Sequence, residues 1–89
     1  MKSQATPRFW KLYDSLPPEV QSQAMKAYQT WRVNPRHPSL HFKRVDDVEP
    51  IYSARVSGDY RVLGVLEGDT VIWFWVGDHK EYERLLREL

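Results

Sequence analysis

Apolar side chains recur at helical spacing in the first third of the chain. Thr6 followed by Pro7 has the pattern of a helix N-cap with proline at the first helical position, and a short apolar stripe follows. A second stripe begins after Pro18, and its members are Val20, Ala24, Ala27, Tyr28 and Trp31. The proline-rich segment 34–39 ends this second helix near Arg32. The pattern therefore predicts a helical hairpin.

The hydrophobic period changes to two in the second half. Alternating apolar and polar residues predict four strands at residues 40–43, 52–56, 60–66 and 71–76. The last of these is apolar on both faces, which predicts a central strand, and short turns connect the last three as antiparallel hairpins. Asp78 and Glu81 have capping-box spacing, and an apolar stripe that ends at Leu89 predicts a short C-terminal helix.

This order of elements predicts an α+β domain that covers residues 1–89. The helical hairpin is expected to pack on one face of a four-stranded, largely antiparallel, twisted sheet. A chain of 89 residues is long enough for one core and too short for two. The hydrophobic share of 42% and the aromatic share of 13% are typical of a globular chain and exclude disorder over most of its length.

Composition also restricts the chemistry. The chain has no cysteine, which excludes disulfides, thiolate zinc sites and a cysteine nucleophile. The carboxylates lie in turns without ligand spacing, so we expect neither a metal ion nor another cofactor. No apolar run approaches ~18 residues and the N-terminus is polar, so we expect a soluble, cytoplasmic protein that does not enter a membrane.

The charges are nearly balanced but unevenly distributed. A net charge of +1 argues against a nucleic-acid partner when it is considered alone. However, no acidic residue lies between Val20 and Val45. The basic residues in that window are Lys26, Arg32, Arg36, Lys43 and Arg44, together with His37 and His41. The segregation predicts either a basic face that binds a ligand or a solvated surface without one.

Three polar residues are expected to converge at one end of the sheet. Strand alternation places Ser53 and Arg55 on the face that does not pack on the hairpin. Arg61 opens the next strand, so the intervening turn folds the two arginines together. His79 lies just past the end of the following strand, in the first turn of the last helix. We therefore expect Arg55, Arg61 and His79 to meet on an open sheet face.

Such a trio is suited to phosphate chemistry. Guanidinium groups match phosphate oxygens, and two of them can stabilise a pentacoordinate phosphorane. At a helix N-terminus the dipole favours a neutral imidazole, which can exchange a proton with a ribose 2′-hydroxyl or a leaving oxygen. RNA supplies its own nucleophile, so this reaction needs no metal. The alternatives are surface ion pairs of the arginines with Asp59, Glu67 or Asp69, and a purely structural His79.

Five further residues have two interpretations each. Tyr82, one turn after the histidine, can stack on a base or pack in the core. Lys43 and Arg44 can hold a nucleic-acid backbone or supply solubility at a strand end. Trp73 and Trp75 are spaced for one sheet face, and we favour a core or partner interface over a stacking platform for them.

Four stretches of the chain are typical of one family of proteins. They are residues 16–20, residues 34–35 with 40–43, residues 53–63, and residues 76–79. Together with the order of elements they resemble the RelE/ParE superfamily of toxins from bacterial type II toxin–antitoxin modules. The resemblance extends from Phe9 to Leu86, and its most specific part is the arginine, turn, tyrosine, arginine signature from Arg55 to Arg61.

The resemblance implies a microbial toxin that a cognate antitoxin neutralises. In the RelE-like and YoeB-like branch it implies a ribosome-associated endoribonuclease that cuts mRNA without metal and leaves a 2′,3′-cyclic phosphate. By this analogy Arg61 stabilises the transition-state phosphate, Arg55 positions it, and His79 is the acid or base. Lys43 matches a basic active-site position, and Arg44 assists. YoeB-like enzymes add a catalytic glutamate, with which none of the acidic residues at 46, 47 and 49 aligns.

The same resemblance allows other functions. ParE-like members share the fold but poison DNA gyrase without nuclease chemistry, so a gyrase inhibitor is the alternative to a ribonuclease. A third possibility is a domain that has lost toxicity and acts only as a binding partner. In either toxin, the antitoxin is expected to cover the open sheet face with an extended acidic segment or to bind an apolar groove at the C-terminal helix.

Overall fold

A computed structural model describes all 89 residues as a mixed five-stranded sheet with helices on both faces. The elements are β1 Lys2–Ala5, α1 Pro7–Asp14, α2 Pro18–Val33, β2 Lys43–Arg44, β3 Ile51–Arg55, β4 Tyr60–Glu67, β5 Thr70–Asp78 and α3 His79–Glu88. The strand order is β1-β5-β4-β3-β2, with β1 parallel to β5 and all other pairs antiparallel. The predicted α+β class and helical hairpin are confirmed. No helix has the length and apolar character that crossing a membrane requires.

The helix ends follow the predicted capping chemistry. The Thr6 side chain accepts a hydrogen bond of 3.1 Å from the Phe9 backbone N–H, and Pro7 occupies the first helical position. The Asp78 carboxylate accepts a bond of 2.9 Å from the Glu81 backbone N–H and so caps α3. These caps satisfy backbone donors that have no partner inside the helix.

The strand β1 was not predicted, and the expected four-stranded sheet has five strands. Lys2 to Ala5 pair with Thr70 to Trp73 of β5, and the Thr6 N–H donates to the Trp73 carbonyl at 2.9 Å. The segment has only one apolar residue, because it lies at the edge of the sheet with Lys2 and Gln4 exposed. Backbone pairing to β5 therefore defines this strand, and hydrophobic alternation does not reveal it.

The predicted strand 40–43 is mostly a different structure. Pro38–Leu40 form a short 3-10 helix, and His41 has left-handed backbone angles with φ of 45°. Neither a 3-10 turn nor a left-handed residue has the extended backbone of a strand, so Leu40 and His41 cannot join the ladder. Only Lys43–Arg44 pair with β3. Leu40 remains apolar for a packing reason, since it is buried in the core under the hairpin.

Both faces of the sheet are covered at least in part. The hairpin packs on one face over Ala54, Trp73 and Val76, while α3 packs on the other. The second cluster is formed by Ile51, Leu63 and Trp75 with Tyr82 of α3. The expectation of a fully open face beside the arginines is therefore wrong. The apolar stripe of α3 needs burial, and the second face of the sheet supplies it.

A β-bulge separates the two strand tryptophans. Trp73 pairs with Gly64 and Trp75 pairs with Leu63, so Phe74 is the extra residue in β5. Trp73 consequently packs under the hairpin, whereas Trp75 packs under α3. The prediction that the two indoles share one face is wrong because a one-residue insertion reverses the alternation. Both are buried in the core, as favoured from the sequence.

Candidate functional site

Arg55 and Arg61 face each other across β3 and β4. Their Cα atoms are register partners, and Arg61 is in turn opposite Gly77 of β5. Residues that pair directly project to the same face, so both arginines lie on the face that carries α3. Strand alternation and the short β3–β4 turn predicted this juxtaposition from the sequence.

The Arg61 guanidinium is fixed against the β3–β4 turn. Its Nη1 donates to the carbonyl oxygens of Ser57 at 2.6 Å, Tyr60 at 2.9 Å and Gly58 at 3.3 Å. All these contacts involve one nitrogen, and the other two nitrogens of the group make no hydrogen bond within the protein. An anion can therefore approach a guanidinium whose orientation is already set.

Arg55 has no hydrogen-bond or ion-pair partner. Its Nη2 lies near the same turn, 3.8 Å from where a Cβ on Gly58 would be. The close contacts between opposite charges are Lys2 with Asp69, His79 with Glu83, and Arg84 with Glu81. Neither arginine of the pair is among them, so the expected alternative of surface ion pairs does not describe this structure.

His79 joins this turn through its backbone. It is the first residue of α3, and its N–H donates to the Asp59 carbonyl at 2.6 Å. The Nε2 atom of the ring lies 2.7 Å from Glu83 Oε1, while Nδ1 is buried without a partner. The ring also stacks on Tyr82, with centroids 5.9 Å apart and an interplanar angle of 28°. The imidazole is thus held from two sides.

Glu83 is a residue of this site that sequence reasoning missed. A carboxylate can only accept, so the hydrogen of the contact is on Nε2, and a neutral ring then has its lone pair on Nδ1. The spacing of i and i+4 on one helix face is a signal that could have identified the pair. Both side chains are about half exposed, at 44% and 54%.

The structure separates the two basic residues of β2. Lys43 pairs with Ser53, so it lies on the same face as the arginine pair, and its ammonium group has no partner. Arg44 pairs with Tyr52 and belongs to the opposite face. Its Nε donates to the Asp46 carbonyl at 2.9 Å and its Nη2 to the Asp47 carbonyl at 3.4 Å. Arg44 therefore stabilises the turn after β2 and does not join the site.

Tyr82 is a core residue. Only 6% of it is exposed, and its hydroxyl donates to Ser53 Oγ at 3.0 Å. Ser53, expected on an open face, is itself buried beneath α3. The ring has no free face for a base, so of the two interpretations of Tyr82 the structure supports packing in the core.

The remaining residues form a basic corner, which we define as Lys43, Arg55, Arg61 and His79. Its lysine and arginines lack carboxylate partners, and His79 contacts Glu83. In the β2–β3 turn the Asp46 carboxylate is engaged locally, since it accepts from the Glu49 N–H at 3.0 Å. No three His, Cys, Asp or Glu side chains lie close enough together to hold a metal ion. The corner is equipped to bind a phosphate and to move a proton.

Several solved structures with this architecture are RelE toxins. The RelB-RelE antitoxin–toxin complex of Methanococcus jannaschii matches with a TM-score of 0.73 and 18% identity, over 92% of this chain and 96% of that chain. The RelBE2 toxin–antitoxin complex of Mycobacterium tuberculosis matches at 0.70 and 21%, over 88% and 96%. The isolated Escherichia coli RelE toxin matches at 0.65 and 19%, over 99% and 98%. The fold is therefore RelE-like.

The sequence assigns the family. A family model described as the ParE-like toxin domain matches residues 18–84, which include the whole basic corner. The chain belongs to this family, and thus to the RelE/ParE superfamily of toxins from toxin–antitoxin modules. No curated protein matches it.

Proposed function

We propose that this toxin is a metal-independent endoribonuclease that cleaves mRNA on the ribosome and thereby inhibits translation. The observation that carries the proposal is the arginine pair, Arg55 and Arg61, which lies without carboxylate partners beside the same turn as His79. Unpaired guanidinium groups at one place favour a ligand with concentrated negative charge. A backbone phosphate of RNA meets that requirement.

The arginines act on the phosphate. The 2′-oxygen attacks phosphorus, the bond to the 5′-oxygen breaks, and the products are a 2′,3′-cyclic phosphate and a 5′-hydroxyl. Arg61, which its three carbonyl contacts hold in place, stabilises the extra negative charge of the phosphorane. Arg55 positions the phosphate from the neighbouring strand, and Lys43 binds the RNA backbone on the same face.

His79 transfers one of the two protons. In-line displacement needs a base beside the 2′-hydroxyl and an acid beside the 5′-oxygen, so a single imidazole serves only one side. Nδ1 is buried, so Nε2 is the nitrogen that RNA can reach. When RNA binds, it displaces the Glu83 carboxylate from Nε2. Tyr82 stacks on the imidazole ring and is itself held by its hydrogen bond to Ser53 Oγ.

The proposed partner is a cognate antitoxin. The similar chains from Methanococcus jannaschii and Mycobacterium tuberculosis were solved as toxin–antitoxin complexes. An acidic segment of an antitoxin would neutralise the unpaired cations of the basic corner and exclude RNA from it. Because α3 already covers part of this sheet face, the segment would bind at its uncovered end or along α3.

Purified ribosomes programmed with a defined mRNA test the proposal. The wild-type toxin should produce fragments with 2′,3′-cyclic phosphate ends. His79→Asn should lower the cleavage rate by about 10²-fold or more, since general acid–base catalysis contributes that much. His41→Asn is the matched control, because His41 is exposed, lies outside the corner and has left-handed backbone angles that Asn tolerates. If the mRNA stays intact while the wild type and His79→Asn inhibit gyrase equally, the protein is a gyrase inhibitor and the ribonuclease proposal is refuted.

A further inference from the structure

One core tryptophan has a hydrogen-bond donor that is unpaired and still within reach of solvent. Trp75 packs between the sheet and α3, and 8% of it is exposed. The indole nitrogens of Trp31 and Trp73 are buried without a partner. Trp75 Nε1 also makes no hydrogen bond, but solvent reaches it. An N–H group in such a largely apolar setting favours a ligand that accepts a hydrogen bond.

Gly77 determines where this indole lies. A Cβ at Gly77 would lie 2.8 Å from Trp75 Cη2 and 3.2 Å from Trp75 Cε2, and it would be closest of all to Cζ2. Side chains do not approach each other so closely. The missing side chain at Gly77 therefore allows the indole to extend two residues along β5. Because Nε1 is bonded to Cε2, the N–H edge of the ring lies beside Gly77.

The indole thereby reaches the end of the sheet that carries the basic corner. Gly77 is the register partner of Arg61, and neighbouring strands are only ~4.8 Å apart. His79 follows Gly77 by two residues along the chain. Trp75 and Tyr82 belong to one core cluster, and the Tyr82 ring stacks on the imidazole of His79. The edge of the indole is thus part of the floor of the basic corner.

We propose that the Trp75 N–H donates a hydrogen bond to a non-bridging oxygen of the phosphate that is cleaved. This inference rests on the proposed ribonuclease function, because it adds a contact to the same substrate. Arg55 and Arg61 supply charge, whereas an indole N–H is a neutral donor that cannot accept. The ring is packed with Ile51 and Leu63, so this donor is oriented before the substrate arrives.

The indole N–H resonances of the four tryptophans test the contact. Toxin labelled with ¹⁵N is titrated with a short single-stranded RNA that carries 2′-O-methyl groups, because the blocked 2′-oxygen prevents cleavage. We expect the Trp75 indole proton to move downfield on the same saturation curve as the backbone amides of the turn at 57–60. Trp31 and Trp73 are enclosed, and Trp10 is exposed on α1, outside the corner. The indole protons of these three controls should not move.

A substitution that removes only the donor measures its contribution. Benzothienylalanine has sulfur in place of the indole N–H and keeps the shape of the ring. At position 75 it should weaken binding of the same RNA about fivefold, because one neutral hydrogen bond is lost. The slope of log K against log salt should not change, since no charge is removed. Benzothienylalanine at position 10 is the matched control and should bind like the wild type. Each replacement also assigns its indole signal by removing it, and equal thermal unfolding midpoints verify the fold.

The outcomes separate this inference from the proposed function. An unmoved Trp75 signal, or equal movement of the Trp75 and Trp10 signals, would overturn the contact. Unchanged affinity after the replacement at position 75, or no RNA binding by the wild type, would overturn it too. If mRNA is cut on the ribosome in such a case, the ribonuclease stands without this contact. A specific Trp75 shift and affinity loss, from a wild type that cuts no mRNA, would support the contact and refute the ribonuclease.

Discussion

At the scale of single residues, Tyr82 links the core to the basic corner. Its hydroxyl donates to the buried Ser53 Oγ, and its ring supports the imidazole of His79. Ser53 is in the same strand as Arg55, so one hydrogen bond joins the helix of the histidine to the strand of the arginine. Because this bond is buried, its loss leaves a polar group without a partner.

We therefore expect Tyr82→Phe to lower the free energy of unfolding by about 1–3 kcal/mol, because Ser53 Oγ loses its donor. Adding Ser53→Ala to it should cost less than the sum of the two single changes, since no polar group then remains unpaired. Urea denaturation measures all three variants. Tyr60→Phe is the control, because the Tyr60 hydroxyl makes no hydrogen bond. Equal effects of Tyr82→Phe and Tyr60→Phe would contradict the role of the pair.

The positions of some site residues could be predicted from the sequence, and those of others could not. Arg55 and Arg61 flank a short turn, so the antiparallel register alone brings them together. The pairing of Glu83 with His79 is local to α3, but the position of Tyr82 depends on how α3 docks, which is decided by packing against Leu63 and Trp75. Local periodicity contains no information about that docking.

At the scale of elements, the bulge in β5 organises the two sides of the sheet. It directs Trp73 to the hairpin and Trp75 to α3, so one strand fills both cores. Gly64 is opposite Trp73 and leaves the space that the indole occupies. A Cβ at Gly64 would lie 2.6 Å from the Val71 side chain and 2.8 Å from that of Trp73.

Gly64→Ala should therefore destabilise the protein by about 1–3 kcal/mol through overpacking. Gly58→Ala is the matched control, because the nearest atom to its added Cβ, Arg55 Nη2, is 3.8 Å away. Chemical denaturation of both variants measures the difference. If Gly64→Ala were as stable as Gly58→Ala, the tight packing of Trp73 against β4 would be refuted.

The elements also differ in how clearly the sequence marks them. The helices α1 and α2 have caps, prolines and apolar stripes, all of which act locally. The strands β1 and β2 lie at the two edges of the sheet and are defined by backbone pairing to a neighbour. The bulge at Phe74 is a matter of register between strands, so alternation within β5 could not show it.

At the scale of the whole molecule, the net charge of +1 combines regions of opposite character. The lysine and arginines of the basic corner lack carboxylate partners, and Glu83 contacts only His79. Most of the acidic residues lie in turns, at the ends of elements or on the exposed side of α3. A nearly neutral chain can therefore attract RNA to one region, where the local field and not the net charge decides binding.

The central claim is that this corner cleaves mRNA, and primer extension on mRNA from cells after induction tests it most directly. Arg61→Lys keeps the charge but removes the planar fork that contacts the turn and the phosphate, so cleavage should fall by about 10²-fold. Arg8→Lys, on the exposed side of α1, is the control. We predict site-specific 5′ ends with the wild type and Arg8→Lys and their loss with Arg61→Lys. Intact mRNA under the wild-type toxin, or the same 5′ ends with Arg61→Lys, would contradict the claim.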